Sequence, residues 1–249
     1  MKVFSINCGL PQNAKRREFA RLDCNQRVYR LLSSQARKGR PIQGWEKVEM
    51  YIDNPTCPQP DFFWSSLDMI CNQQTRDIVG HLLEQSGELL PMTIKGEQGI
   101  YYFFNPTPAL DTIDPEHSIW DYSKQSQRSV IRGPAFRPNR LSKVSVFLEQ
   151  TRRGNPFCVE RTGDHRDGEF KALVEKHGLT GLSFDLVWSE AEGPTLPTQI
   201  WGPNDPFEYR RHDGTPWVFP KSKLPSKKPV TKLVKTARPS AKKQKRASK

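Results

Sequence analysis

The chain has 249 residues, 39 Lys and Arg against 27 Asp and Glu, and a formal charge of +12. All of that excess lies in residues 221–249, which hold 12 basic residues and no acid, so residues 1–220 are formally neutral. The pI near 9.6 therefore describes an appendage and does not make the body a nucleic-acid-binding domain. Five cysteines at irregular spacing, with no C-x-x-C pair, argue against a disulfide framework or a zinc finger.

Val3–Ile6 reads as an opening strand, and it is too short for a signal-peptide core. Residues 13–38 are rich in Arg and Lys, with Val28, Leu31 and Leu32 at helical spacing; a helix and a long solvated connection are both open there. Val48, Met50 and Ile52 alternate within Trp45–Ile52, the pattern of a strand with one buried face. After Pro60-Asp61-Phe62, a short strand over Ser66–Ile70 precedes a helix from Gln73 to Gln85. Asn72 is its cap, Gly87 its stop, and Ile78, Val79, Leu82 and Leu83 form its apolar stripe. Glu88–Ile94 and Ile100–Phe104 flank Lys95–Gly99 as a hairpin.

Val144, Val146 and Leu148 alternate, and Pro156–Glu160 reads as a further strand. A helix capped near Asp167 carries Phe170, Leu173, Val174 and His177 on one face and ends at Gly178. Leu182, Phe184, Leu186 and Trp188 then alternate along a closing strand. The interspersed elements predict an α+β domain with a mixed or antiparallel sheet and two main amphipathic helices over residues 1–190. A Pro- and aromatic-rich strap follows over 191–220, with Trp201, Phe207, Tyr209, Trp217 and Phe219 as its anchors. Residues 221–249 have no aromatic residue and few aliphatics, so the composition predicts a disordered basic tail.

No G-x-S-x-G, H-E-x-x-H, Walker or G-x-G-x-x-G pattern occurs. His81 and His177 read as packed or capping residues. His117 falls in a turn-like stretch, His165 beside Asp164 and Asp167, and His212 in the strap. The acids around Asp111 and Asp114 read as turn formers. The expectation is a protein that is not an enzyme and carries no cofactor or metal. No apolar run is long enough to cross a bilayer, and the expected location is the cytoplasm. Lys242, Lys243, Lys245 and Arg246 are the densest polyanion-binding candidates, suited to salt-dependent, sequence-blind association with nucleic acid.

Four segments carry a family resemblance: Pro60-Asp61-Phe62 with Leu82-Leu83; Leu89-Leu90-Pro91 with Tyr101–Asn105; Asp111, Asp114 and Ser118; and Phe170–Val174 leading into Gly178–Phe184. In this order they resemble the immunity-protein family of bacterial polymorphic toxin systems, long catalogued as a domain of unknown function and named for a myxobacterial member. The resemblance covers residues 45–190. It implies a protein that binds a cognate toxin and neutralises it by occlusion, without turnover or cofactor. Trp64, Trp120 and Trp201 are then candidate interface anchors or core residues, and the basic tail leaves nucleic-acid association as the alternative function.

Overall fold

The computed structural model describes residues 1–8, 20, 22–36, 38–46, 48–53, 55–64, 69–107, 109–121, 130–150, 155–161, 168–195, 209–211, 213 and 215–216. The fold is α+β, as expected. In chain order the first half contains β1 (Lys2–Cys8), β2 (Leu22–Cys24), α1 (Gln26–Gln35), β3 (Glu49–Ile52), β4 (Phe62–Trp64), β5 (Met69–Asn72), α2 (Gln73–Glu84), β6 (Gly87–Ile94) and β7 (Tyr101–Pro106). The second half contains β8 (Ala109–Leu110), β9 (Ile113–Asp121), β10 (Val130–Phe136), α3 (Pro138–Leu141), β11 (Val146–Glu149), β12 (Phe157–Glu160), α4 (Phe170–Lys176), β13 (Leu182–Ser189), β14 (Gly193–Pro194) and β15 (Tyr209–Arg210). Residues 1–217 form one compact unit. Residues 218–249, and with them Lys242, Lys243, Lys245 and Arg246, lie outside the described residues.

Two six-stranded sheets run in the orders β14-β13-β1-β12-β11-β8 and β2-β3-β6-β7-β5-β4. Each is mixed: β8–β11 and β3–β6 are the parallel pairs in otherwise antiparallel ladders. The period-2 alternation of the sequence decides which core each residue enters. Phe4, Ile6, Val146 and Cys158 from the first sheet meet Phe62, Met69, Cys71 and Phe104 from the second, and α2 and α4 join the same cluster. The opposite residues of the second sheet, Phe63, Ile70 and Phe103, pack with Val28 and Leu32 of α1. Those of the first, Val3, Phe147, Phe157 and Val159, pack with Ile113, Ala135 and Phe136 of a small sheet ordered β10-β9-β15.

Local signals explain the helices. Asn25 Oδ1 accepts from the Val28 N–H at 3.0 Å and Asn72 Oδ1 from Thr75 at 2.8 Å, so both longer helices open on a side-chain cap. The Arg/Lys-rich stretch whose reading was open thus contains a helix, α1. The helix α4 ends in a Schellman arrangement: Leu179 N–H donates to Val174 O and Gly178 N–H to Glu175 O, with Gly178 at φ 61°.

Several expectations are corrected. Gly87 does not stop α2. The helix ends at Glu84, and Gly87 opens β6, where a Cβ would lie 2.2 Å from the Asn105 carbonyl oxygen. The strand expected from Trp45 starts at Glu49; Trp45 instead tilts against Phe103 at 5.2 Å and donates to Pro91 O. The helix expected to be capped near Asp167 begins at Phe170, with no side-chain cap, and the Phe170 N–H is taken up by Ser145 Oγ at 3.0 Å. His117, read as part of a turn, sits within β9, and the small sheet β10-β9-β15 had no counterpart in the sequence reading. Of the resemblance's segments, Leu89-Leu90-Pro91 pairs with Phe104, Phe103 and Tyr102 in the β6–β7 hairpin.

Candidate functional site

Two irregularities in β-pairing build a concave site among the described residues. The first is in β13. Val3 pairs with Trp188 but Phe4 with Leu186, so Val187 is an extra residue opposite β1. Leu182, Phe184 and Leu186 point into the inter-sheet core as the alternation predicts. The bulge then transfers Trp188 to the other face, beside Phe136 and Phe147. Simple alternation would have left Trp188 with Leu186; its placement is a correction to the sequence reading.

The second irregularity is in β9. Gly133 pairs with Ile119 and Ala135 with Asp114, so two residues of β10 span five of β9, and Pro115–Ser118 bulge out. Ser118 stabilises the bulge from inside. Its buried hydroxyl donates to Asp114 O at 2.6 Å and accepts from Ala135 N–H at 2.9 Å, replacing the missing ladder bond. Trp120 Nε1 donates to Pro115 O at 2.9 Å. Asp114 and Ser118, singled out in the sequence, are therefore the two ends of one structural device.

Between the bulges lies a pocket of about 370 Å³. Ala135, Phe136 and Trp188 form its floor, with Phe136 and Trp188 edge-on at 6.1 Å. Its rim carries four carboxylates, Asp114, Glu116, Glu190 and Glu192, with His117 and Arg211; Glu190 Oε2 is paired with the Met1 ammonium at 3.2 Å. Asp114 Oδ2 and His117 Nδ1 are 2.7 Å apart, and Asp114 Oδ1 accepts from the Glu116 N–H at 3.1 Å. Burial works to raise the Asp114 carboxyl, but the His117 contact and the backbone N–H groups outweigh it and hold the group below its ordinary value. Asp114 is thus kept an anion. Among the described residues the lining has no Ser, Thr or Cys, and the nearby Ser118 hydroxyl is already engaged on both sides. The Asp–His contact orients an imidazole, and no hydroxyl or thiol of the described lining stands beside it.

The other sequence candidates do not converge here. His81 and His177 are exposed, each at the C-terminal end of its helix. Asp111 faces Arg137 at 3.5 Å. Trp120 is half-buried, whereas the Trp64 side chain, Trp201, His165, His212, Asp164 and Asp167 lie outside the described residues. Among the described residues no group of three His, Cys, Asp or Glu side chains could hold a metal ion, and no helix is long and apolar enough to cross a membrane.

Two segments that carried the resemblance are clasped together. Thr180 donates its N–H and its hydroxyl to Asp61 Oδ2, both at 2.7 Å, while Thr180 Oγ1 accepts from the Asp61 N–H at 3.1 Å. Phe62 N–H donates to Thr180 O at 3.0 Å. Residues 119 positions apart thus fix the α4–β13 turn onto β4. Compared with known proteins, no family model and no curated protein matches the chain.

Proposed function

We propose that the chain is a non-enzymatic binding protein of the toxin-immunity kind, one that neutralises a cognate protein toxin by occluding it. The observation that carries the proposal is the make-up of the groove between β9, β10, β13 and β14: an apolar floor of Ala135, Phe136 and Trp188 under a rim of carboxylates. Such a surface suits a cationic side chain of a protein partner, whose charge meets the rim and whose stem lies on Phe136 and Trp188. The groove would be the centre of a larger interface, since a stable one buries about 800 Å² per partner.

The test is co-expression with the toxin genes encoded beside its own. Protection by the native chain, lost when exposed Glu116 and Glu192 are both changed to Lys, is the expected result. Failure to neutralise any neighbouring toxin counts against immunity. Full protection by the Glu116→Lys/Glu192→Lys variant counts against the groove.

The charge of residues 221–249 favours a second reading, association with nucleic acid through Lys242, Lys243, Lys245, Arg246 and their neighbours. A chain ending at Pro220 would then lose its salt-dependent affinity for DNA and keep its protein partner.

A further inference from the structure

A second pocket, of about 260 Å³, opens where the turn after α3, Arg161 just past β12, Gly168 two residues ahead of α4 and Gln85 at the C-cap of α2 meet. Arg161, the residue after β12, lines it and donates through Nη2 to the carbonyl oxygens of Leu141 and Val144. These acceptors fix the guanidinium but do not neutralise it. Its Nε is buried without an acceptor, and among the described residues no carboxylate pairs with the Arg161 side chain. Glu169, itself buried, accepts from the Arg161 main-chain N–H through Oε1.

A part-buried cation without a counter-charge is an unfavourable arrangement unless something supplies one. An open pocket lies beside it. Lys143 is exposed on the same lining, and the remaining side chains there, Gln85, Ser142, Ser145 and Val144, are neutral. Ser145 Oγ accepts from the Phe170 N–H, which leaves its proton to donate. A fixed guanidinium, an exposed ammonium and the Ser145 hydroxyl around an open cavity are groups that can hold a phosphate. The volume is several times the ~30 Å³ of a water molecule.

We infer that this pocket, separate from the acidic groove, is an anion site that takes a phosphate group between Arg161 and Lys143. The phosphate supplies the negative charge that Arg161 lacks, and Lys143 closes over it from the solvent side.

The experiment follows thermal unfolding of the full chain in sodium phosphate and in sodium chloride at matched pH and ionic strength. The melting temperature rises with phosphate beyond chloride and saturates, because a ligand of the folded chain stabilises it by mass action. Lys143→Ala, a change at an exposed position, shifts the phosphate dependence to about tenfold higher concentration, the loss of one charge-assisted bond. Residues 221–249 are the same in both proteins, so any phosphate they attract cancels in the comparison. Arg161→Gln removes the effect but also releases two main-chain carbonyls, so Lys143→Ala decides. No rise over chloride, or an equal rise in Lys143→Ala, would overturn the site. A larger response to sodium acetate than to phosphate would overturn the choice of phosphate.

Discussion

Gly178 and Gly181 stand three residues apart in one turn and have different physical reasons to be glycine, which makes the pair a sharp test. At Gly178, φ is 61° and no atom lies within 4 Å of a built Cβ. Alanine there meets only the left-handed backbone penalty, about 1 kcal/mol. At Gly181, φ is 95° and a Cβ would sit 2.0 Å from Phe62 O and 2.9 Å from Phe62 C. That is more than ~1 Å inside the separation nonbonded heavy atoms keep, and the obstacle is backbone rather than a yielding side chain. The turn must move away from β4, which breaks the Phe62–Thr180 bond and strains the two bonds from Thr180 to Asp61. At roughly 1 kcal/mol net per bond, and with the backbone penalty added, Gly181→Ala should cost about 3–5 kcal/mol. That is a large part of the 5–15 kcal/mol typical of a domain. Urea unfolding of the full chain, followed by tryptophan fluorescence and extrapolated linearly, measures both variants. A Gly181→Ala protein within about 1 kcal/mol of wild type, or a Gly178→Ala protein that loses more, would refute the argument.

Phe170 is fully buried and edge-on to Phe62 at 6.0 Å and to Phe184 at 6.2 Å; Phe170→Ala should cost about 3–5 kcal/mol in the same assay. The Asp114 carboxyl is held below its unfolded value, so it favours the folded chain at every pH above that unfolded value, about 3.9. The benefit is lost as pH falls through the lower folded value. The stability gap between wild type and Asp114→Asn, read from urea midpoints, should therefore be complete near neutral pH and close in acid; a gap that widens in acid would be contrary. Burial pushes the Cys71 thiol up to about 12 against the opposing charge of Arg76, and pushes Cys158 upward too. Peptide mapping after iodoacetamide at neutral pH should find neither labelled until urea unfolds the chain.

The legible parts of the fold are those whose signals are local. Asn72 caps a helix whose apolar stripe is complete within twelve residues. Gly178 ends another, and the β6–β7 hairpin closes over six intervening residues. The sheet β10-β9-β15 escaped because its pairing defies period 2. Pro115 and Glu116 look like a turn in isolation, and they do bulge, but Ser118 and Ala135 close the ladder around them. Trp188 escaped for the same reason. The only hint in the sequence is the unbroken apolar run Leu186-Val187-Trp188, which leaves no polar position to mark the outer face. Sequence reasoning therefore found Asp114, Ser118 and His117 one at a time and missed what assembles them with Glu190, Glu192 and Arg211, because bulge geometry is set by the partner strand.

Formal neutrality of residues 1–220 also hid a separation of charge. The groove over the first sheet is rimmed by four carboxylates. On the outer face of the second sheet, Arg27 and Arg30 of α1 and the following Lys38 and Arg40 are exposed. The Arg161 pocket is cationic as well. A partner responds to charges within a Debye length, about 8 Å at physiological salt, rather than to the sum over the body. On the two proposals above, opposite local fields on one neutral body would receive a cationic protein at one face and an anion at another, each approach steered by its own patch. Raising salt should weaken both contacts independently, so the neutral total gives no ground for expecting a salt-insensitive protein.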